Sequence, residues 1–256
     1  MALQNPLKLL FPDQCVACGV PVQAPLGLCG SCWKDTPFLG PDVCDACGVP
    51  LLGQVDVGER PHCDACMIAP RAWARGRAAL EYRDTARRII LGFKHGDRLD
   101  LAPAFAQWMA RAGTPLFAPD LCLVPVPLHW RRRVMRRFNQ SALLAQRLAT
   151  IWGVDCAPEA LVRTRATRAQ ERMTAAERAA NLDHAIAPHP RHGAALKGRS
   201  VLLIDDVMTS GATFTAATEA ALAAGAAHVS VLALARVALA GEGPYFGLER
   251  IPDAKR

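Results

Sequence analysis

The composition of this chain indicates a folded protein with a basic surface. It has 256 residues, of which 51% are apolar, and this content is enough to bury a core and excludes a disordered chain. The 30 Lys and Arg residues against 23 Asp and Glu residues give a net charge of +7 and a pI near 9.0. This balance favours acidic partners such as nucleic acid, phosphates or anionic surfaces, although an arginine-rich codon usage would produce the same excess.

The start of the chain and its apolar stretches predict no targeting or membrane segment. Residues 1–15 lack a basic segment followed by a long apolar run, and the longest apolar stretch, 220–235, is shorter than the roughly 18 residues that span a bilayer. We therefore expect a cytoplasmic protein without membrane insertion. Since the cytosol keeps thiols reduced, its ten cysteines are not expected to form a disulfide framework.

Eight of the ten cysteines form four CxxC pairs within the first 66 residues. Two such pairs separated by a short segment can supply four thiolates to one tetrahedral ion, which predicts two zinc sites. Four thiolates leave no open coordination position, so both ions would be structural. Spacing favours sequential pairing of the CxxC pairs but also allows cross-braced pairing, and a redox or iron–sulfur role is the alternative to zinc. The pairs are Cys15/Cys18, Cys29/Cys32, Cys44/Cys47 and Cys63/Cys66.

The rest of the chain has a different pattern, in which apolar runs alternate with helical periodicity. Buried strands that alternate with helices predict an α/β fold with a mainly parallel sheet. We expect a double zinc ribbon over residues 1–70, the α/β domain over 71–240 and a frayed tail over 241–256. The segment 162–190 is charged and has little β signal, which predicts a mobile excursion. The predicted strands are Leu121–Val124, Ser200–Ile204 and Val229–Ala235, and the predicted helices are Phe138–Trp152 and Thr213–Ala224.

The most informative segment follows the predicted strand Ser200–Ile204. The strand ends in two carboxylates, Asp205 and Asp206, and a loop rich in hydroxyl groups then leads into a helix. Backbone N–H groups of such a loop and the helix N-terminus suit phosphate, whereas the carboxylates suit ribose hydroxyls or Mg²⁺. The combination predicts a sugar phosphate as ligand. The candidate phosphate-binding residues are Val207, Met208, Thr209, Ser210, Gly211, Ala212 and Thr213.

This segment closely resembles the phosphoribosyl pyrophosphate (PRPP) signature of type I phosphoribosyltransferases. The resemblance implies that Asp205 and Asp206 contact the ribose hydroxyls and that the following loop holds the 5′-phosphate of Mg²⁺-bound PRPP. With the cysteine pairs in front and the Val124–Pro127 stretch, the chain resembles the ComF family, a double zinc ribbon fused to a phosphoribosyltransferase-like domain. In that family the segment Tyr82–Lys94 would hold the first strand and helix of this domain.

The ComF resemblance also implies a loop near pyrophosphate, a flexible active-site loop and a link to competence and DNA uptake. The pyrophosphate loop follows Val124–Pro127. The implied partners are PRPP or a related sugar phosphate, single-stranded DNA and proteins of the competence machinery. The implied flexible-loop residues are Arg163, Thr167, Gln170, Arg178 and Asn181.

An arginine cluster beside the implied pyrophosphate loop has three interpretations. Its guanidinium groups suit clamps on pyrophosphate, contacts with a nucleic-acid backbone, or simply a solvated helix face. The candidate contact residues are Arg131, Arg132, Arg133, Arg136, Arg137, Asn139 and Gln140.

Three functional hypotheses follow from these features. The first is phosphoribosyl transfer, in which carboxylates, loop amides and arginines position PRPP and neutralise the leaving pyrophosphate. The second is a binding protein that keeps the fold as a phosphate or PRPP sensor or handles single-stranded DNA. The third places DNA or partner binding on the zinc ribbons, with the α/β domain as a platform.

Overall fold

A five-stranded parallel sheet forms the centre of the protein. The computed structural model describes residues 12–53, 56, 58–95, 98–128, 138–164 and 185–238. The strand order is β1-β7-β6-β2-β3, and every neighbouring pair is parallel. A second, two-stranded sheet pairs β4 with β5 in antiparallel register. The strands are β1 (Gly76–Glu81), β2 (Leu121–Pro125), β3 (Asp155–Cys156), β4 (Leu161–Arg163), β5 (Ile186–Pro188), β6 (Ser200–Met208) and β7 (His228–Arg236).

Helices cover both faces of the central sheet, as its apolar strands require. On one face Phe93, Phe105 and Leu144 share a core with Leu202, and on the other Phe214 shares a core with the neighbouring strand residues. None of the described helices has the length and hydropathy needed to cross a bilayer. The helices are α1 (Gly30–Lys34), α2 (Asp64–Ile68), α3 (Asp84–His95), α4 (Ala102–Gly113), α5 (Gln140–Trp152) and α6 (Ala212–Ala223), with 3₁₀ turns at Leu99–Leu101, Thr114–Leu116 and Gly193–Leu196.

The predicted fold class, a mainly parallel α/β sheet preceded by zinc ribbons, is confirmed, but three local predictions were wrong. Strand β6 continues to Met208 instead of ending before Asp205, because β7 pairs with it along its whole length. The segment 162–190 contains β structure at its two ends, where β4 pairs with β5, and the predicted mobile part between them lies outside the described residues. The first strand precedes Tyr82, and only a helix lies within Tyr82–Lys94.

The N-terminal part contains the same cysteine knuckle twice. In the first, the Gly19 amide donates to the Cys15 carbonyl at 2.9 Å, and in the second the Gly48 amide donates to Cys44 at 2.8 Å. Both glycines adopt a positive φ, +79° and +71°, a conformation that L side chains rarely adopt. Each ribbon has one knuckle and one short helix, and the CxxC pairs are paired sequentially, because the sulfur atoms of consecutive pairs lie within 4.8 Å of one another.

The second ribbon docks directly on the edge of the central sheet. The Gly76 amide donates to the Asp45 carbonyl at 2.8 Å, and Asp45, whose side chain is 4% exposed, pairs with Arg75 at 2.9 Å and with Arg77 at 2.6 Å. Farther along β1, the Leu39 amide donates to the Ala79 carbonyl at 3.0 Å. The ribbon thereby covers an edge strand that would otherwise expose unpaired backbone groups. The division at residue 70 stays a prediction, and the predicted tail 241–256 lies outside the described residues.

We expect Gly76→Ala to destabilise the zinc-loaded protein by about 1–3 kcal/mol, the usual cost of overpacking. A Cβ atom on Gly76 would overlap the carbonyl oxygen of Ala46, which is backbone and cannot turn aside. Gly40→Ala is the matched control, since a Cβ atom there meets nothing within 4 Å. Urea denaturation of both variants measures the difference, and equal midpoints would show that the ribbon does not rest on β1 at this point.

Candidate ligand loop and metal centres

The two candidate carboxylates lie where the order of the sheet reverses. From β2 the chain passes through α5 to β3 on one side, whereas from β6 it passes through α6 to β7 on the other. The last pair between β2 and β6 joins Pro125 to Ile204, so Asp205 and Asp206 extend beyond the end of β2. Open α/β sheets bind their ligands in the crevice at such a point.

Asp205 and Asp206 are held by different partners. Asp205 Oδ1 accepts hydrogen bonds from Ser141 Oγ at 2.8 Å and from the Asp206 amide at 2.9 Å. Asp206 Oδ1 lies 3.0 Å from Lys94 Nζ, and the side chains of this ion pair are only 14% and 18% exposed. The two neighbouring carboxylates are thus fixed by a hydroxyl group from α5 and an ammonium group from α3.

Burial and the neighbouring charge of Asp206 together raise the pKa of Asp205 to about 7, against the opposing hydrogen bond from Ser141. Both causes act in the same direction, because each disfavours the charged form of a carboxyl group. Near neutral pH the Asp205 carboxyl therefore exchanges between its protonated and ionised forms. Perturbed carboxyl groups of this kind are found most often in functional sites.

The start of α5 positions these partners. Asn139 caps the helix, since its side chain accepts from the Ser141 amide at 3.1 Å and donates to the Val126 carbonyl at 3.2 Å. Gln140 is 2% exposed and donates to the Lys94 carbonyl at 3.3 Å. The structure thus places Asn139 and Gln140, two of the predicted ligand contacts, in hydrogen bonds that hold Ser141 and the end of α3 in place.

The loop between β6 and α6 is held from behind by an arginine. Arg236, at the end of β7, is 1% exposed and donates from Nη1 to the Thr209 carbonyl at 2.5 Å and to the Val237 carbonyl. Gly211 then adopts φ +87°, and α6 begins at the next residue. The N-terminus of this 12-residue helix carries partial positive charge and follows the strand that bears the carboxylates.

The other predicted site residues fall into four groups. Val207 and Met208 belong to β6 rather than to the loop, and Met208 is buried. Ser210 lies in the loop, and Thr213 lies in the first turn of α6. Arg163 lies on β4 and lines, together with Asn139, a cleft of about 1020 Å³. Nine predicted residues lie outside the described part of the chain: Arg131, Arg132, Arg133, Arg136, Arg137, Thr167, Gln170, Arg178 and Asn181.

Sequence reasoning missed three residues that touch the site. Lys94 reads as an ordinary helix lysine whose stem lies on an apolar surface, and Ser141 carries no motif of its own. Arg236 ends an apolar run in the sequence. Its charge at that position is the one signal that could have indicated a role, because a buried charge needs specific partners.

Two groups of four cysteines are arranged to hold metal ions. Within each group the sulfur atoms all lie within 4.8 Å of one another, and the groups are Cys15/Cys18/Cys29/Cys32 (the first tetrad) and Cys44/Cys47/Cys63/Cys66 (the second tetrad). Four thiolates at this spacing fit a structural zinc ion. The second tetrad is buried at all four positions, whereas Cys18 of the first is exposed.

Comparison with known proteins finds relatives along nearly the whole chain. The double zinc ribbon domain family matches residues 6–67. The DNA utilization protein YhgH of Escherichia coli K12 is 32% identical over 235 residues, which cover 89% of this chain and 99% of that protein. Competence protein F of Haemophilus influenzae is 25% identical over 233 residues, which cover 88% and 98% of the two chains.

Solved structures overlap with about half of the chain. A hypoxanthine phosphoribosyltransferase from Staphylococcus aureus has a TM-score of 0.36 at 11% identity, covering 60% of this chain and 84% of that one. A phosphoribosylpyrophosphate synthetase from Mycobacterium smegmatis has a TM-score of 0.30 at 14% identity, covering 52% and 33%. Overlaps this weak carry no argument about function.

We expect the purified protein to contain two zinc ions, one in each tetrad. Cys18→Ser and Cys47→Ser should each remove one of them, and Cys47→Ser should destabilise the fold more, because its tetrad is buried throughout. Elemental analysis and urea denaturation measure the two effects. Cys156→Ser is the control and should retain both ions, and loss of both ions in either tetrad variant would contradict two independent sites.

We expect Asp205→Asn to stabilise the folded protein at pH 8 by up to about 4 kcal/mol. A carboxyl group whose pKa rises on folding from 3.8 to about 7 makes the free energy of unfolding fall as pH rises between these values. The amide removes this loss while its Oδ1 still accepts from Ser141 and Asp206. Thermal melting from pH 4 to pH 8 tests the effect, with Asp155→Asn as the exposed control, and a variant no more stable than wild type at pH 8 would refute it.

Proposed function

Because the chain belongs to the family of the DNA utilization protein YhgH, as its resemblance to the ComF family predicted, we propose that it is a cytoplasmic protein of DNA utilization that binds Mg²⁺–PRPP at Asp205–Thr213. Eight cysteines in two metal-binding tetrads suit a reducing compartment, where the thiolates stay available to zinc. PRPP is the ligand that the residues of the loop and their resemblance to the phosphoribosyltransferase signature favour.

One observation carries this proposal: the carboxylate pair lies on β6 where the strand order reverses, and β6 leads through a short loop with a glycine turn into a helix N-terminus. A 5′-phosphate at the helix N-terminus would bring the ribose hydroxyls towards Asp205 and Asp206. Carboxylates accept hydrogen bonds from such hydroxyls, and Lys94 pairs with Asp206 and holds its side chain in place.

A transfer reaction would place the pyrophosphate on the side of the site opposite the loop. The segment that follows β2 reaches Asn139 at the site, and it includes the predicted arginines. Guanidinium groups there would neutralise pyrophosphate as it leaves the ribose anomeric carbon, while the carboxylates hold the sugar in position. Single-stranded DNA and proteins of the competence machinery are the partners we propose for the arginine segment or for the zinc ribbons.

Calorimetric titration of Mg²⁺–PRPP into the zinc-loaded protein tests the proposal. We expect binding by the wild type and a loss of affinity of tenfold or more in an Asp205→Asn/Asp206→Asn variant, because hydrogen bonds to charged groups are lost. Asp120→Asn/Asp155→Asn is the matched control, since it changes two carboxylates that contact Ser200 and Arg199, at the opposite end of the sheet.

Two further results separate the hypotheses. Release of pyrophosphate in the presence of nucleobases or amines would establish transfer, whereas binding without release would establish a sensor or binding protein. A folded, zinc-loaded wild type that binds no PRPP would overturn the proposal and leave a nucleic-acid or partner-binding platform. DNA binding, measured beside it, should then weaken steeply with salt.

A further inference from the structure

One guanidinium group joins the second tetrad to the loop between β6 and α6, residues 209–211, which we call the ligand loop. Arg71 Nε donates to Cys66 Sγ at 3.2 Å, and Nη1 of the same side chain donates to the Ser210 carbonyl at 2.8 Å. Cys66 and Ser210 belong to the ribbon and to the α/β domain, so this contact connects two elements that are far apart in the sequence. Hydrogen bonds to the ligands of a metal orient them and tune the metal site.

A buried indole ring makes a second connection beside the first. Trp73 is 4% exposed, and its Nε1 donates to the Ala46 carbonyl, within the Cys44–Cys47 knuckle, at 2.6 Å. The ring packs edge-on against Phe214 of α6 with 5.9 Å between centroids. A Cβ atom on Gly211 would lie 2.8 Å from this ring, so the loop passes directly over it.

These contacts set the position of the loop relative to the metal site. The Ala46 carbonyl of the knuckle accepts the hydrogen bond of Trp73, and the Trp73 ring lies against Gly211. Arg71 donates to the neighbouring carbonyl of Ser210. A zinc ion with four thiolates carries net negative charge, which favours a guanidinium group at Cys66. Arg71 therefore spans the distance from a ligand of the metal to the loop.

We propose that the second tetrad positions the ligand loop through Arg71, so that metal binding there and ligand binding at Asp205–Thr213 are coupled. Arg71 is a positioning residue in this proposal, because it would act on the ligand through the loop carbonyl that it holds. The ligand half of the proposal rests on the function proposed above, whereas the positioning of the loop does not. Coupling between two sites is reciprocal, so a ligand at the loop must also tighten metal binding at the tetrad.

The first test compares two arginine variants, of which only one loses a contact with the ligand loop. Arg71→Met removes the link to the loop, and Arg75→Met is the matched control, since Arg75 binds Asp45 of the same knuckle and the Pro115 carbonyl. Both variants are compared with wild type as zinc-loaded full-length proteins. Where Arg71→Met does not fold, Arg71→Lys replaces it, because lysine keeps the charge but cannot make both hydrogen bonds at once.

Hydrogen–deuterium exchange measures how firmly the ligand loop is held in the absence of any ligand. We expect the amides of residues 208–213 to exchange faster in the Arg71 variant than in wild type or in Arg75→Met. Titration with Mg²⁺ and ribose 5-phosphate reads the coupling, and we expect affinity about tenfold lower in the Arg71 variant with Arg75→Met unchanged. A purely structural role would instead lower the stability of both variants and leave loop exchange and affinity alike.

Cobalt substitution supplies a spectroscopic signature of the coupling. Ribose 5-phosphate should change the thiolate-to-cobalt absorption of the wild type and should slow the release of cobalt to a chelator, and both effects should disappear in the Arg71 variant. Equal loop exchange in the Arg71 and Arg75 variants would overturn the proposal. If the wild type binds neither PRPP nor ribose 5-phosphate but the loop still exchanges faster in the Arg71 variant, the proposed function fails and the positioning role of Arg71 stands.

Discussion

The contact between the Cys44–Cys47 knuckle and the edge strand β1 is the constraint on which the arrangement of this protein depends. Gly76 admits the Ala46 carbonyl at close range, and the Asp45 carboxylate balances the two arginines that flank this position on β1. A zinc ribbon has too small an apolar core to hold such a geometry alone. Docked on the sheet, it gains a rigid support, and the sheet gains cover for its edge.

The candidate site contains electrostatic interactions that destabilise the folded state, and other interactions in the fold must offset their free energy. Two carboxylates on adjacent residues repel each other, and burial penalises their ionised forms further. Lys94 and Ser141 reduce this cost without removing it, as the raised pKa of Asp205 shows. Strain of this kind is common where stability is exchanged for function, because a ligand can supply the missing partners.

The sequence predicts local features of this protein well and distant contacts poorly. The CxxC pairs, the apolar strand that leads to Asp205 and the glycine before α6 each combine residue type and spacing within one segment. The structure contains the elements they predicted, although β6 extends past the carboxylates. The hairpin β4–β5 was missed because its strands are three residues each and pair across a long insertion. Contacts such as Ser141 to Asp205 join segments that no local pattern relates.

The predicted division into zinc ribbons and an α/β domain likewise gives no indication of the contacts between them. Eight cysteines suggest one self-contained module. In the structure the two tetrads differ in burial, since all four cysteines of the second are buried and Cys18 of the first is exposed. Val16 of the first ribbon packs into the core shared by α3 and α4, whereas the second ribbon lies against β1 and the ligand loop. Among the described contacts, Arg71 links the second tetrad to the loop between β6 and α6, so in the coupling proposed above it is the second metal site that acts on the loop. In this arrangement the first ribbon packs against the helical layer, whereas the second lies against β1 and the loop.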